Sequence, residues 1–435
     1  MPSIPPAELL RQLIRFDTTN PPGNEGPCLT WLKELFEARG VEAHLLAGAP
    51  DRPNLVVRVP GRGEAPPLLL QGHVDVVTTV GQAWSRPPFA GDLVDGWVWG
   101  RGALDMKGGL AMMAGALLGC LDDATPPAGD VVLCCLADEE AGGIHGAQFL
   151  VDRHPELFRG VRHAIGEGGG VSQHLEGRVF YPIMVAEKRA CRLRLRLRGP
   201  GGHASRVHRG GTMSKVGALL TRLDAARLPV HVTPVTERYL RGLAGALREP
   251  MRSRILALLD PGEVEGALEL LGGGSGPFES ILRHTANATI VAAGHKINVI
   301  PSEAVVDLDG RMLPGFEPDQ FIDEVRSVVG PEPEIEVLNV GPRMPVPELD
   351  GFYDLLSAIL VELDHDAVPV PFLMVGGTDQ RHFAKLGIVG YGYLPLRLPT
   401  DYALETVHAA DERVPVQALD FGTAAYHQVL HRYRG

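Results

Sequence analysis

The chain has 435 residues, 45% of them hydrophobic and 22% charged, which describes a soluble globular protein too long for one ordinary core and predicts about two domains. With 41 basic and 53 acidic side chains the net charge is −12, which argues against nucleic acid or an anionic membrane as a general partner. No apolar run approaches the ~20 residues that span a bilayer, and MPSIPPAELL lacks the basic-then-apolar order of a secretion signal. Cys28, Cys120, Cys134, Cys135 and Cys191 are odd in number and have no CxxC spacing. They argue against a disulfide framework or a thiolate zinc site and point to a reducing cytoplasm.

Pro6 to Phe16 places Leu9, Leu10, Leu13 and Ile14 at helical spacing, and Asn20-Pro21-Pro22-Gly23 closes it in a loop. A second helix is predicted over Cys28 to Arg39, with Gly40 at its C-terminal cap. Strands are predicted at Ala43 to Leu46 and Asn54 to Val59. Leu68 to Val77 follows, reading LLLQGHVDVV. Three leucines without alternation predict a strand buried on both faces of a parallel sheet, and that strand carries His73 and Asp75 to its end. In open α/β sheets reactive side chains sit beyond the carboxyl ends of strands. His73 and Asp75 therefore read either as a metal ligand with the group that fixes its tautomer, or as a polar strand exit capped by two ordinary residues.

WVWGRGALDMKGGL, residues 97 to 110, is a glycine-rich loop opening a helix, with Asp105 in its middle. The alternative of a phosphate cradle with Lys107 as cation lacks both the GxGxxG and the GxxxxGK[ST] spacing. Val131 to Ala137 is a further buried strand, ending in Asp138-Glu139-Glu140. Read as extended, this segment points Glu139 and Glu140 in opposite directions, one toward a metal and the other toward substrate. His163 to Gly166 is a short strand delivering Glu167.

After Lys188 the pattern changes. RLRLRLR, residues 192 to 198, alternates strictly and predicts an antiparallel strand with one wet face. It lacks the interleaved aromatics of a nucleic-acid surface. His203 stands in a Gly-Gly-His-Ala-Ser loop, Met213 to Leu223 forms an amphipathic helix, and residues 228 to 283 are largely helical. Strands resume at Ala288 to Ala292 and Ala304 to Leu313, where Val305, Asp307, Asp309 and Arg311 share one face. Arg311 there either pairs with an acid such as Asp309 or serves the site. Pro318 opens a helix to Val329. Residues 189–345 thus form a second domain inserted between 1–188 and 346–435, with the Pro-rich stretch 341–347 as the return linker. A helix over Phe352 to Leu363, a strand over Val368 to Val375, a Gly376-Gly377-Thr378-Asp379 loop with amides suited to an anion, a strand over Gly387 to Tyr391, His408 and a helix through Leu430 complete the chain.

The strand ends and loops of the non-inserted domain collect His73, Asp105, Glu140, Glu167 and His408. Two imidazoles and three carboxylates, with no cysteine, suit zinc, cobalt or manganese, and five ligands suit two ions bridged by one carboxylate.

These residues lie in GHVDVV (72–77), GRGALDMKGG (100–109), ADEEAGG (137–143), GEGGG (166–170), GGHAS (201–205), NVIPSEAVVDLDGR (298–311), GGTD (376–379) and HAADE (408–412). Together they resemble the two-zinc metallopeptidase family of aminoacylase, glutamate carboxypeptidase, acetylornithine deacetylase and succinyl-diaminopimelate desuccinylase. The resemblance implies an α/β fold: a mixed-sheet, aminopeptidase-like catalytic domain with an inserted α+β lid and dimerisation domain. It implies two divalent ions per subunit, zinc first with cobalt or manganese as alternatives. His73 and Glu167 would hold one ion, Glu140 and His408 the other, and Asp105 would bridge them.

By the same resemblance Glu139 is the general base, Asp75 supports His73, and the Asp105–Met106 peptide is cis. His203 reaches the active site of a homodimer partner to steady the oxyanion. Asn298, Arg311, Gly377 and Thr378 bind substrate, with Arg311 gripping a terminal carboxylate. Ala409-Ala410 departs from a more usual glycine, and Glu187-Lys188-Arg189 matches the family hinge only loosely. The long helical stretch 228–283 favours the aminoacylase and carboxypeptidase branch. The implied activity is hydrolysis of the amide bond of small N-acyl-amino acids or dipeptides with a free carboxylate. The alternatives are a biosynthetic deacylase of acetylornithine or succinyl-diaminopimelate, and a non-catalytic relative.

Overall fold

Apolar runs that never alternate have no wet face, and in the computed structural model they become the interior strands of a sheet. The structure describes residues 4–123, 125–345, 348–399 and 406–435. The chain divides into two units, one made of residues 1–185, 347–372 and 378–435, the other of residues 186–346 and 373–377.

The first unit is built on a mixed sheet of nine strands. Its order is Ala43–Ala49, Arg52–Val59, Val131–Leu136, Leu68–His73, His163–Gly166, Val389–Gly392, Arg178–Glu187 and Ala367–Met374, with Gln173–Leu175 also paired to Arg178–Glu187. Leu68–His73 runs parallel to both of its neighbours, and every one of its residues is buried. Val131–Leu136 is buried along its whole length too. Pairing toward Ala43–Ala49 is antiparallel.

Helix Lys107–Asp122 is buried on all sides from Lys107 to Leu118, as its run of Ala, Gly, Leu and Met requires. It packs against Leu68–His73 and against helices Pro6–Ile14 and Val416–Arg432. On the sheet's other side Val56, Leu69, Val132, Leu150, Phe158 and Phe383 form a core. Helix Gly351–Leu363 starts at Asp350, whose carboxylate accepts from the amides of Phe352 and Tyr353 at 3.0 and 3.2 Å.

The second unit holds a four-stranded antiparallel sheet in the order Thr285–Ala293, Glu303–Met312, Arg189–Arg198 and Glu334–Val340. Leu193, Leu195 and Leu197 face a core with Val216, Leu219, Phe321 and Val325 from helices Thr212–Ala225 and Pro318–Val329. The intervening arginines face the wet side and pair with acids across the strands. Arg194 grips Asp307 with both nitrogens at 2.7 and 2.8 Å, and Arg196 and Arg198 share Glu303. This explains the strict alternation without any nucleic acid. Residues 234–282 form four further helices.

The chain departs from the expected boundaries at one place of consequence. Residues 373–377 belong to the second unit rather than to the returning segment. The amide of Lys188 donates to the carbonyl of Met374 at 2.9 Å, so the end of one crossing segment is hydrogen-bonded to the other. The expected linker 341–347 is described only to residue 345.

Candidate metal centre

Parallel register sets the site. His73 lies opposite Leu136 and Leu70 opposite Ile165, so the residues just beyond all three strands meet at one edge of the sheet. That edge receives His73, Asp75, the 138–140 segment and Glu167. A β carbon on Gly72 would lie 2.3 Å from Met106 Cε, so glycine lets the Asp105–Met106 turn approach the strand end. The Asp105–Met106 peptide is cis.

Asp105 stands at the centre. Its Oδ1 is 3.1 Å from His73 Nε2, and its Oδ2 is 3.0 Å from His408 Nε2. Glu167 Oε2 lies 3.5 Å from His73 Nε2, and Glu140 Oε1 lies 3.2 Å from His408 Nε2. Two trios of ligand atoms result, His73–Asp105–Glu167 and Asp105–Glu140–His408, each with all atoms within 4.8 Å and with Asp105 in both. His73 Nδ1 donates to the carbonyl of Asp75 at 2.9 Å, which leaves the Nε2 lone pair directed at Asp105 and Glu167.

The residues fit divalent ions. Imidazole nitrogen and carboxylate oxygen are the donors that zinc, cobalt and manganese accept, and buried Glu140 Oε1 has no hydrogen-bond donor of its own. The charges fit too, since Asp105, Glu139, Glu140 and Glu167 crowd two imidazoles. Burial, reinforced by the charge of Glu167, lifts the Glu139 carboxyl well above the usual range. The hydrogen bond to Asp105, with the Glu140 carboxylate 3.2 Å away, pushes His408 up to about 10. Burial opposes ionisation of Asp105, yet His408 and His73 outweigh it and hold that carboxyl low. An excess of buried carboxylate of this kind is offset by a bound cation.

Two expectations change in detail. Glu139 and Glu140 lie in a single 3₁₀ turn, Glu139–Ala141, entered through Asp138 at φ 72°, and not in an extended segment. The turn forms because buried Asp75 accepts the amides of Glu139 at 3.1 Å and Glu140 at 3.2 Å, along with the Asn20 side chain at 2.9 Å. The Asp75 carboxylate is itself 3.6 Å from His73 Nδ1, so the closer contact to the imidazole is the Asp75 carbonyl. Lys107 is no phosphate cation: its Nζ is buried and donates to the carbonyls of Leu13 and Phe16 at 3.0 and 2.8 Å.

Several supporting residues escaped the sequence reading. Glu412 is fully buried and accepts the amides of Gly102, Leu104 and Asp105 and the Arg101 guanidinium, at 3.0, 2.7, 3.1 and 2.7 Å. It thereby fixes the loop that carries Asp105. Its signal was its place in the HAADE motif, where a second acid had no assigned task. Asp138 takes Arg52 at 2.9 Å and the His145 amide at 3.0 Å, closing the turn from the other side. Asp379 is buried with both oxygens unpartnered among the described residues, and burial pushes it up to about 7. Arg381 reaches 3.9 Å from Glu139 Oε1.

The remaining expected site residues fall in two places. Thr378 is buried in the first unit. His203, Asn298, Arg311 and Gly377 belong to the second. There strand Gly202–His203 pairs with Val299–Ile300, and the Ala204 amide donates to the Asn298 carbonyl at 3.2 Å, so His203 and Asn298 share one exposed corner. Arg311 grips Asp309 at 2.6 and 3.2 Å.

Comparison with known proteins agrees with this geometry. The pattern of peptidase family M20/M25/M40 matches residues 69–432. The chain is similar to probable carboxypeptidase S-like 2 of Dictyostelium discoideum, 26% identical over 397 residues that cover 82% of this chain and 70% of that protein. It is also similar to succinyl-diaminopimelate desuccinylase of Methylorubrum populi, 28% identical over 447 residues and 98% of each chain. The crystal structure of an M20 family metallo-carboxypeptidase, Sso-CP2 from Sulfolobus solfataricus, superposes with a TM-score of 0.69 at 18% identity, covering 98% of both chains. The match spans most of the sequence, and this chain belongs to peptidase family M20/M25/M40, as a metal-dependent hydrolase.

Proposed function

We propose that this protein hydrolyses the amide bond of small N-acyl-amino acids or dipeptides with a free carboxylate, at a centre of two divalent ions. The observation that carries this is Asp105, whose two oxygens each face a different imidazole at 3.1 and 3.0 Å. In this reading His73 and Glu167 hold one ion, Glu140 and His408 the other, and Asp105 both. Held there, divalent ions would supply Lewis acidity to the attacking water and to the scissile carbonyl.

The chain's own groups supply the proton traffic. Glu139 is next to Glu140 in the same turn but contributes no atom to either ligand trio. It takes a proton from the attacking water and returns it to the leaving amine. Arg381, 3.9 Å away, and the hydrogen bond that the Glu139 amide donates to the Asp75 carboxylate keep its position. His203 Nδ1 accepts from the Ser205 amide at 3.2 Å, so a neutral ring carries its proton on Nε2. That exposed N–H is a donor for a developing oxyanion outside its own unit.

A homodimer in which His203 serves the partner's site is supported by the second unit's surface. Its edge strand Thr285–Ala293 exposes Ile290 and Val291 at 56% and 49%. An open, apolar strand edge is a pairing surface. Arg311 would grip the substrate carboxylate by exchanging Asp309 for it, and Asn298, Gly377 and Thr378 are the other groups proposed to bind substrate. Five free, buried cysteines support a reducing cytoplasm. No helix among the described residues is long and apolar enough to cross a membrane.

The near full-length likeness to a desuccinylase favours a second reading, a biosynthetic deacylase of acetylornithine or succinyl-diaminopimelate. The test is amine release by protein loaded with zinc, cobalt or manganese from N-acetylated amino acids, dipeptides, N-acetylornithine and N-succinyl-diaminopimelate. Cleavage of the first two groups supports the leading reading and cleavage of the last two the second. Failure on all of them refutes both.

A further inference from the structure

Far from the catalytic edge, two helices of the first unit bring four metal-binding side chains together. Cys120 lies in the last turn of helix Lys107–Asp122, and Asp123 caps that helix in an extended conformation. His427 and His431 are one turn apart on helix Val416–Arg432, so both point from the same face. The helices pack along each other, and one ligand atom from each of the four lies within 4.8 Å of the rest. His427 Nε2 is 2.7 Å from Asp123 Oδ2, and His431 Nε2 is 3.5 Å from both Asp123 Oδ2 and Cys120 Sγ. We propose that Cys120, Asp123, His427 and His431 form a further, structural metal site that takes zinc or a similar borderline divalent ion.

The donor set and spacing carry this. One sulfur, two imidazoles and one carboxylate form a four-coordinate set of the kind zinc favours, and bonds of about 2.0–2.3 Å at tetrahedral angles put ligand atoms about 3.3–3.8 Å apart. Two of the three contacts are already 3.5 Å. His427 and Asp123 need to part by only about half an ångström to match.

Another cluster of similar composition shows the contrast. In His231–His284–Glu324 the Leu313 amide donates to His284 Nδ1 at 2.9 Å, which places that ring's proton on Nε2 and spends the nitrogen that faces Glu324. No backbone amide among the described residues donates to His431 Nδ1, so its Nε2 is free to turn its lone pair toward an ion shared with Asp123 and Cys120. An entering ion must displace the Cys120 thiol proton, since the thiolate is the ligand. His427 and Asp123, 37% and 44% exposed, leave a path from solvent.

The site is separate from the dimetal centre. Cys120 stands thirteen positions along the helix from Lys107, about 20 Å at the helical rise. The catalytic set has no thiolate, which gives a test independent of it: cobalt bound to thiolate absorbs in the near ultraviolet, whereas cobalt on imidazole and carboxylate alone does not.

Full-length wild type titrated with cobalt should develop this band and bind one more ion per chain than Cys120→Ser. Cys120→Ser should lack the band and keep amide hydrolysis within about twofold. His431→Gln, which retains the thiol, should lose the extra ion as well and guards against misfolding of the first variant. Absence of the band in wild type, its persistence in Cys120→Ser, or its appearance only at millimolar cobalt would each overturn the proposal.

Discussion

Replacing Glu412 by Gln tests whether the Asp105 loop is held in the way its hydrogen bonds indicate. One carboxylate oxygen accepts the amides of Leu104 and Asp105, and the other accepts the Gly102 amide and Arg101 Nη1. A glutamine has one acceptor and one donor end, so whichever way it turns it sets an NH₂ against two N–H groups. Two buried donors lose their acceptor at about 1–3 kcal/mol each, and the buried Arg101 loses its counter-charge. The expected cost is about 3–5 kcal/mol to the first unit, with metal affinity falling about 10–100-fold because Asp105 is no longer fixed. Urea unfolding with and without zinc, and metal content after dialysis, read the two effects. A loss under about 1 kcal/mol with full metal retention would refute the reasoning.

Other perturbations probe separate parts of the account. Lys188 is buried with no hydrogen-bond partner for Nζ among the described residues, and burial and the Arg311 charge push it down to about 7 from an ordinary 10.5. The unfolded chain therefore binds more protons between those values, so stability rises with pH across that window. Lys188→Met should raise the melting temperature most below pH 7, with the gain fading toward pH 10.5, and a pH-independent difference would contradict it. Arg311→Ala should raise KM for carboxylate substrates well beyond its effect on the matching amides; equal effects would reduce Arg311 to the partner of Asp309. His203→Ala and Glu139→Ala, each inactive alone, should regain activity when mixed as heterodimers, and no recovery would end the borrowed-histidine proposal.

The residues that share a strand end were legible because burial writes itself into the sequence. Leu68 to Leu70 and Val131 to Leu136 cannot alternate when both faces are covered, and the polar residue that ends such a run must lie at the sheet edge. His73, the 138–140 acids and Glu167 follow from that rule, and the alternation of residues 192 to 198 gave the second unit's wet face. Glu412 did not follow from it, since its task depends on amides 307 to 310 positions away. The Asp75 carboxylate reads as a histidine partner from spacing alone, and only the fold shows it seating the Glu139–Ala141 turn. The five cysteines have no CxxC spacing, so nothing local in the sequence groups any of them with a metal-binding partner. Cys120 meets His431 across 311 positions, through helix packing that no local pattern records.

The central claim is that Glu139 moves the proton while its neighbours hold the metal. Glu139→Gln keeps the size of the side chain and removes only the basicity, so metal content and amide turnover should be measured on the same preparation. Full metal content with turnover lower by about 10²- to 10⁴-fold is the result this account predicts. Full metal content with turnover near that of the wild type would contradict it.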